Sequence, residues 1–259
     1  MKTNNCKIPS KNWTFSRVVK LNLIKLVIRS LLFVATIALY LFDNTFLLDT
    51  IHRIGANDGT YLLAVIWIVF MVEMIFRFFP SKYESMGCQK QFEGSFVQND
   101  HFPATTDIVK SKHLESAVSV AVFWIVLNVG IAVFFFNGII DEATLLIVSL
   151  FFAVCDIICI LFYCPFQSLI MKNRCCITCR IYNWDFLMMF MPLVFIASWY
   201  TLSLFAVAMM LFIKWEVTYY KHPEWFCDET NLNLRCASCK EELCVYKKVG
   251  KILSTNRFK

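Results

Sequence analysis

The stretch of sequence that decides the fold is residues 116–164, SAVSVAVFWIVLNVGIAVFFFNGIIDEATLLIVSLFFAVCDIICILFYC. It contains two apolar runs, 116–140 and 143–164, and only Asp141 and Glu142 separate them. About 20 apolar residues are enough for a helix to cross the hydrocarbon core of a bilayer. Neither run alternates as a barrel strand does, and lipid satisfies no backbone group. We therefore predict two membrane-spanning α-helices joined by a tight turn.

Three further apolar runs and the overall composition extend this prediction to the whole chain. Hydrophobic residues make up 58% of the 259 positions, charged residues make up 17%, and the mean hydropathy is +0.59. A soluble domain is about half apolar and a quarter charged. We predict an all-α fold, a polytopic membrane helix bundle of about five transmembrane helices. The predicted spans are residues 23–42, 60–79, 116–140, 143–164 and 185–213.

Lysine and arginine residues outside the spans predict the orientation of the bundle. They are frequent in a basic leader, residues 1–22, and in the loops 80–115 and 165–184, whereas the turn at Asp141 has none. Basic connections stay in the cytoplasm, so we expect the N-terminus and both loops there. The leader lacks a signal-cleavage site, so we expect it to remain attached. Part of it is expected to lie on the membrane surface as an amphipathic stretch. The net charge of +6 lies in these segments, so we expect no nucleic-acid partner.

The last apolar run, residues 185–213, has an unusual length. Its 29 residues would form a helix of roughly 44 Å, which is too long for one upright span and too short for two. We favour one tilted or protruding helix, which would put the cysteine-rich tail, residues 214–259, on the side opposite the N-terminus. The alternative is a break at Pro192 or at Ser198–Trp199, which would return the tail to the cytoplasm.

Eight cysteines form two groups of four, one on each side of the last run. The first group is Cys88, Cys175, Cys176 and Cys179, and the second is Cys227, Cys236, Cys239 and Cys244. Each group contains a Cys-x-x-Cys step, whose two-residue spacer lets both sulfurs converge on one ion. Four thiolates suit a tetrahedral zinc ion or an iron–sulfur cluster. We therefore predict that these cysteines bind metal, with structural zinc as the first choice.

Whether the two groups form one site or two depends on how often the last run crosses the membrane. A single crossing predicts two separate sites, about a bilayer apart. A double crossing allows Cys176 and Cys179 to join Cys236 and Cys239 in one paired-knuckle site. Two variants stay open: tail cysteines outside an aerobic cell would form disulfides, and the first group would be a three-sulfur site if its adjacent cysteines do not both reach the metal.

Polar residues inside the predicted spans are the other candidates. Asp156 lies in the middle of residues 143–164, where a carboxylate is costly unless it is paired, protonated or hydrated. It is therefore either a functional residue or a neutral carboxyl bonded to a neighbouring helix, with Asn128 as the expected partner. The nearby Cys155, Cys159 and Cys164 are expected to be packing residues.

Local interactions are also predicted near the ends of the spans. Glu73 and Arg77 have the spacing of an intrahelical ion pair. Asp185, together with the two residues before it, is predicted to cap the last helix. Lys25 and Arg29 lie near enough to the end of the first span for their charged groups to reach the interface.

These observations allow three functions. We favour an integral membrane protein whose cysteine-rich loops bind structural zinc and which acts as an accessory or scaffold subunit for other membrane proteins. The first alternative is a redox protein that exchanges disulfides or carries an iron–sulfur cluster, with Cys176/Cys179 and Cys236/Cys239 as working pairs. The second is a small transporter or metal-efflux component, with Asp156 and its two cysteine neighbours lining the path. The sequence assigns no small-molecule substrate and leaves open whether the protein is an enzyme.

Overall fold

The computed structural model describes residues 16–42, 58–99, 106–171, 173, 175–241 and 243, with the backbone alone at 58–60 and 106–113. Within these ranges the fold is all-α, and the extended pairing they contain is a single bridge between Gln98 and Asn231. The helices are α1 (Arg17–Phe42), α2 (Asp58–Arg77), α3 (Met86–Gln89), α4 (Thr106–Phe136), α5 (Glu142–Leu161), α6 (Asp185–Phe190) and α7 (Trp199–Lys221). Short 3-10 or π turns cover Glu93–Ser95, Phe166–Ile170, Tyr182–Trp184, Met191–Phe195, Pro223–Phe226, Leu232–Leu234 and Cys236–Ser238.

Four of these helices are long and apolar enough to cross a membrane, judged by length and composition. They are Arg17–Phe42, Leu114–Phe136, Glu142–Leu161 and Trp199–Lys221. Helix α2 has 20 residues, as α5 does. Large apolar side chains such as Leu31, Val126 and Phe134 point outwards and are more than half exposed, as a lipid-facing surface requires. The predicted all-α bundle of membrane-type helices is confirmed.

The two ends of the bundle can be told apart by how α1 and α5 run past each other. The hydroxyl of Tyr40, near the end of α1, lies 3.4 Å from Oδ2 of Asp141, just before α5. Val19, near the start of α1, packs with Ile157 and Leu161 near the end of α5. The two helices are therefore antiparallel. We call the end with Val19 the cysteine end, because the loop cysteines lie there, and the other end the far end.

The turn at the far end joins α4 to α5 and has local causes in the sequence. Gly138 has a φ of 70°, a left-handed conformation that suits glycine. The carboxylate of Asp141 then accepts a hydrogen bond from the backbone N–H of Thr144 at 2.8 Å and caps α5. Helix α4 thus ends at Phe136, a few residues before the predicted end of its span, and α5 likewise ends early, at Leu161.

The last apolar run is broken, so the prediction of one continuous helix is wrong. It forms the six residues of α6, five residues of 3-10 helix at Met191–Phe195, and then α7. Pro192 has no N–H to donate within a helix, and Ile196 is extended. Ser198 starts α7 anew, because its side chain accepts a hydrogen bond from the backbone N–H of Tyr200.

The non-helical backbone between α6 and α7 is tolerated inside the bundle because other helices surround it. Pro192, Leu193 and Ile196 are buried, and the hydroxyl of Thr201 donates to the carbonyl of Ile196 at 2.7 Å. Broken helices survive in membranes where protein, rather than lipid, covers the freed backbone groups. The leg from Asp185 to Phe195 rises roughly 19 Å, which is shorter than the hydrocarbon core of about 30 Å.

Both legs of the broken run return to the cysteine end. The carboxylate of Asp185, which starts the short leg, binds Arg77 at the end of α2. Near the end of α7, the ammonium of Lys214 donates to the carbonyl of Phe78 at 2.6 Å. The tail therefore starts on the same side as the loop cysteines. The favoured placement of the tail on the opposite side is wrong, and the alternative of a broken run is correct.

The other predicted boundaries shift because helices continue beyond the apolar residues. The first span begins at Arg17 and takes in part of the basic leader, and α4 begins at Thr106, within the predicted loop 80–115. Residues 214–221 of the predicted tail belong to α7. The remainder of the leader, residues 1–15, and the end of the tail, residues 244–259, lie outside the described residues.

The sidedness of the tail can be tested with reporter cysteines at exposed positions. We expect Asp228→Cys in the tail and Glu93→Cys in the loop after α3 to react with a membrane-impermeant maleimide from the same side of sealed vesicles. Asn137→Cys, at the far-end turn, should react from the other side. Mass spectrometry reads each cysteine separately. If Asp228→Cys is modified together with Asn137→Cys, the last run crosses once and the fold described here is wrong.

Candidate functional site

An arginine inside the bundle binds carboxylates from two other helices. Arg29 of α1 is 0% exposed, and its Nη2 lies 2.6 Å from Oε2 of Glu73 on α2. Its Nη1 lies 3.1 Å from Oδ2 of Asp156 on α5 and donates to the carbonyl of Ala153 at 2.8 Å. A guanidinium carries five N–H donors in a fixed fork, so this one side chain joins three helices.

Arg29 also contacts the short leg of the broken run. Its Nη1 lies 3.8 Å from Sδ of Met189, and the guanidinium carbon lies 5.3 Å from the ring centre of Phe70 and 5.9 Å from that of Phe186. Aromatic faces attract a cation at such distances. The prediction that Arg29 reaches the membrane interface is wrong. A charge that finds carboxylates and aromatic rings inside the bundle does not need water.

A second buried arginine fixes the start of α6. Arg77 is 4% exposed, and its Nη1 lies 2.7 Å from Oδ1 of Asp185 and 3.3 Å from Oδ1 of Asn183. Among the described residues, Glu73 therefore pairs with Arg29 and not with Arg77, so the predicted intrahelical pair is wrong. Asp185 lies in the first turn of α6, as predicted, but its carboxylate binds Arg77 and α6 has no side-chain cap, so the predicted capping bond is wrong.

These five residues form what we call the interior network: Arg29, Arg77, Glu73, Asp156 and Asp185. Three carboxylates share two guanidinium groups in it. If every group is ionised, the network carries one more negative charge than positive. Its side chains come from α1, α2, α5 and α6, so the network can form only when these helices are packed together.

The expected partner of Asp156 is a different residue in the structure. The side-chain amide of Asn128 donates to the carbonyl of Trp124, one turn earlier in its own helix, at 2.9 Å. Asp156 instead accepts from Arg29. The prediction of an Asp156–Asn128 bond is therefore wrong, whereas Asp156 does lie at a polar site in the interior.

A cavity of about 280 Å³ lies beside the interior network, between α4, α5, α6 and the turn at Phe166. Asp156 and Asp185 line it, and no lysine, arginine or histidine does so among the described residues. Six aromatic side chains line it: Phe123, Trp124, Phe151, Phe152, Phe166 and Tyr182. Pockets of this kind, apolar with a few convergent polar groups, are where small ligands bind.

Sulfur atoms make up much of the remaining wall. The cavity is lined by Cys155, Cys159, Cys164, Cys176, Cys179, Met188 and Met189. The prediction treated the three cysteines of the fourth span as packing residues, separate from the loop cysteines. The structure brings Cys176 and Cys179 of the loop to the same cavity, because the chain folds back over the end of α5 after Leu161.

Three segments cover the cysteine end and form what we call the cysteine-rich cap: residues 84–99, 175–184 and 222–241. Lys90 joins the first two. It is 0% exposed, and its Nζ donates to the carbonyls of Ile177 and Cys179 at 2.9 Å and 2.7 Å. Burial lowers the pKa of Lys90 from 10.5 to about 7. The amine thus holds the backbone of the Cys-x-x-Cys turn in place.

A close approach of backbone to ring also fixes the first segment. A Cβ added at Gly87 would lie 2.7 Å from Cε2 of Tyr182, so the turn that carries Cys88 packs directly on this ring. Burial raises the pKa of Cys88 to about 12, although the charge of Arg77 opposes this.

The tail segment is tied to the first segment by backbone and side-chain bonds. The N–H of Leu232 donates to the carbonyl of Val97 at 2.8 Å, and the N–H of Asn99 donates to the carbonyl of Thr230 at 3.0 Å. Further along, the carboxylate of Glu241 accepts from the hydroxyl of Ser85 at 2.7 Å and from the N–H of residue 86. The tail therefore caps α3, the short helix that carries Cys88.

Some thiols of the cap are neighbours, whereas others are held by different partners. Burial and the nearby thiols of Cys176, Cys239 and Cys236 raise the pKa of Cys175 to about 12, and a hydrogen bond from the N–H of Ile177 opposes them. Three thiols of the first predicted group bind elsewhere: Cys88 Sγ lies 3.0 Å from the carbonyl of Ser85, Cys176 Sγ 3.0 Å from Oε1 of Gln167, and Cys179 Sγ 3.6 Å from Sδ of Met171.

The structure does not contain a preassembled metal centre within the described ranges. There, no group of three or more His, Cys, Asp or Glu side chains is arranged to hold a metal ion. Cys227 is buried, which raises the pKa of its thiol, and Cys236 is exposed. Cys244 lies outside the described residues.

Two of the residues that organise the site were not found from the sequence. Arg29 had a usable signal, since a basic residue within an apolar run is costly unless carboxylates meet it. Lys90 had none, because it stands in the polar stretch Gln89–Gln91, where nothing indicates burial. The cavity itself could not be found from the sequence, since its wall comes from segments that are distant in the chain.

Comparison with known proteins adds no relative to this description. No family model, no curated protein and no solved structure matches the chain. Its function is therefore argued from the site alone.

The interior network should dominate the stability of the bundle. Arg29→Met leaves Glu73 and Asp156 unpaired in the interior, and we expect it to lower the free energy of unfolding by roughly 3–5 kcal/mol. Lys25 pairs with Glu84 at 3.2 Å near the surface, where the side chains are 21% and 19% exposed, so Lys25→Met should cost about 1 kcal/mol or less. Unfolding in mixed micelles by a denaturing detergent measures both. Equal losses in the two variants would contradict the assigned role of Arg29.

The buried amine of Lys90 should make stability depend on pH. Because its pKa is lowered from 10.5 to about 7 in the folded protein, the unfolded chain binds a proton that the folded chain lacks between these values. Stability therefore rises with pH above about 7. We expect the melting temperature of the wild type minus that of Lys90→Met to increase between pH 7 and pH 9 in non-ionic detergent. A difference that stays constant or shrinks with pH would show that the amine remains protonated.

Proposed function

We propose that this chain is a multi-pass integral membrane protein with its N-terminus and its cysteine end in the cytoplasm. Support for this orientation comes from the charges on the two ends. Lys82, Arg180 and Lys221 belong to the cysteine end, whereas the far-end turn carries Asp141 and Glu142. Basic segments are retained in the cytoplasm during insertion.

We further propose that the cysteine-rich cap binds a structural zinc ion and that the protein serves other membrane proteins as an accessory or scaffold subunit. The observation that carries this proposal is the neighbourhood of Cys175, whose thiol is affected electrostatically by Cys176, Cys239 and Cys236. Cys176 belongs to the Cys-x-x-Cys step of the loop, which Cys175 precedes, and Cys236 and Cys239 form that of the tail. These four thiols fit zinc by ligand type and by number.

The raised pKa of Cys175 is what such a cluster has before a metal enters it. Burial is the largest cause of this rise, and the nearby thiols add to it, because each thiolate disfavours the next. A divalent cation supplies the missing positive charge and would draw the thiolates together. Its binding free energy would then contribute to the folding of the cap.

The redox alternative is not favoured by the two buried thiols Cys88 and Cys227. A working thiol pair needs a lowered thiol pKa, because the thiolate is the nucleophile in disulfide exchange. Burial instead raises the pKa of Cys88 to about 12 and raises that of Cys227. These two buried thiols are therefore poor nucleophiles in the folded protein.

The transport alternative gains one specific observation. Asp156, Cys155 and Cys159, the residues that the sequence suggested for a path, all line the same cavity beside the interior network. A transporter also needs a route to both faces, and the described cavity reaches the half of the bundle near the cysteine end. We therefore keep transport as a second candidate, and zinc binding by the cap as the first.

Elemental analysis of the purified full chain tests the zinc proposal. We expect about one zinc ion per chain, and we expect Cys175→Ser and Cys239→Ser each to remove most of it. Cys155→Ser, which removes a thiol of the cavity, is the matched control and should keep the zinc. The proposal is wrong if the wild type carries no zinc, or if the cap variants and the cavity variant retain equal amounts.

A further inference from the structure

We propose that the cavity beside the interior network binds an organic ammonium cation with an apolar body. This inference does not rest on zinc in the cap. It names a ligand class for the cavity, whether the bound molecule is transported or only held.

The charge of the cavity wall favours a cation. Asp156 and Asp185 line the cavity, whereas Arg29 and Arg77 approach these carboxylates from behind, and no basic side chain lines the wall among the described residues. Lys25, which lies near the network, is already paired with Glu84. With every group ionised, the interior network has one carboxylate in excess, and an uncompensated charge inside the bundle is costly. A bound cation compensates it.

The aromatic wall selects an organic cation over a bare ion. The ring of Trp124 on α4 lies 4.8 Å from that of Phe152 on α5 and 6.2 Å from that of Phe166, which follows α5. Such faces attract alkylammonium groups strongly when water is excluded. A volume of about 280 Å³ is near the lower end of the range for ligand pockets, which is about 300–1,000 Å³, and far larger than one metal ion needs.

A metal ion fits this cavity less well, although sulfur is abundant there. Within the described ranges no three candidate ligands converge on one point. Soft ions need short, directed bonds to sulfur, whereas an ammonium group with an apolar body needs only a carboxylate and a polarizable wall. The thiols and thioethers meet the second requirement without moving.

The mouth of the cavity indicates how the ligand arrives. Phe123 and Leu127 of α4 and Phe151 of α5 line the cavity and are 51%, 37% and 49% exposed. These positions lie within helices that are long and apolar enough to span a membrane, so the mouth faces hydrocarbon. A ligand that enters there must partition into lipid, which is why the ammonium group needs an apolar body.

Equilibrium dialysis of the full chain in non-ionic detergent tests the proposal, with radiolabelled benzyltrimethylammonium as the probe. This cation has no proton to lose, so its charge is fixed. We expect saturable binding to one site, and we expect the neutral N-benzylacetamide to compete poorly. Asp156→Asn should weaken binding of the cation about tenfold or more, because it removes the excess carboxylate. Glu93→Gln, the same change at an exposed carboxyl, should bind as the wild type does.

The Asp156→Asn variant is expected to fold, because it leaves one carboxylate for each guanidinium: Glu73 for Arg29 and Asp185 for Arg77. A second measurement needs no variant. Saturating benzyltrimethylammonium should slow the alkylation of Cys155 by N-ethylmaleimide and leave that of Cys239 in the cap unchanged.

Three results would overturn the proposal: no saturable binding to the wild type, equal competition by N-benzylacetamide, or undiminished binding to Asp156→Asn. Unchanged alkylation of Cys155 in the presence of the cation would do so as well. The zinc content of the same preparations does not affect any of these outcomes, so this proposal and that of the zinc cap fail separately.

Discussion

The fold depends on one guanidinium that is completely withdrawn from water. Arg29 ties α1 to α2 through Glu73 and to α5 through Asp156, and it contacts α6 through Met189. A buried charge of this kind contributes little net energy compared with an apolar side chain of the same size, but its removal leaves two buried carboxylates unpaired. It therefore acts chiefly as a constraint on register. Helices that slide along one another lose the pairing.

The break in the last apolar run has the largest consequence for the rest of the molecule. Because α6 ends at Phe190, two residues before Pro192, the chain turns within the bundle and α7 returns to the side from which α6 started. The tail then lies next to the loops that precede α4 and α6. Lys90 clamps one of these loops, and Glu241 of the tail caps the helix in the other. The break in the last apolar run therefore brings three distant segments together in the cysteine-rich cap.

The cysteines are divided between two environments that differ in chemistry. Cys155, Cys159 and Cys164 join Cys176 and Cys179 around the cavity, where sulfur is a polarizable wall. Cys175 lies towards Cys236 and Cys239 in the cap, where several thiols share one neighbourhood. Cys176 lines the cavity and is also a neighbour of Cys175, so it stands between the two environments.

The sequence by itself determined the class of fold and the approximate position of each helix. Apolar runs long enough for a bilayer leave α-helix as the structure that satisfies the backbone, so 143–164 predicts α5 to within a few residues. It also identified Asp156 as a polar residue at depth. These features depend on local composition and on the surrounding solvent, and the apolar runs of the sequence indicate both.

Only the tertiary structure decided the partners. Glu73 lies four residues from Arg77 but binds Arg29, and Asp185 binds Arg77 instead of capping its own helix. Tertiary packing also decided that residues 185–213 form a broken helix. Such a helix is stable in lipid only when other helices cover its free backbone groups. Composition shows that a charge must be compensated or a backbone covered. Which residue does so depends on the packing of segments far apart in the chain.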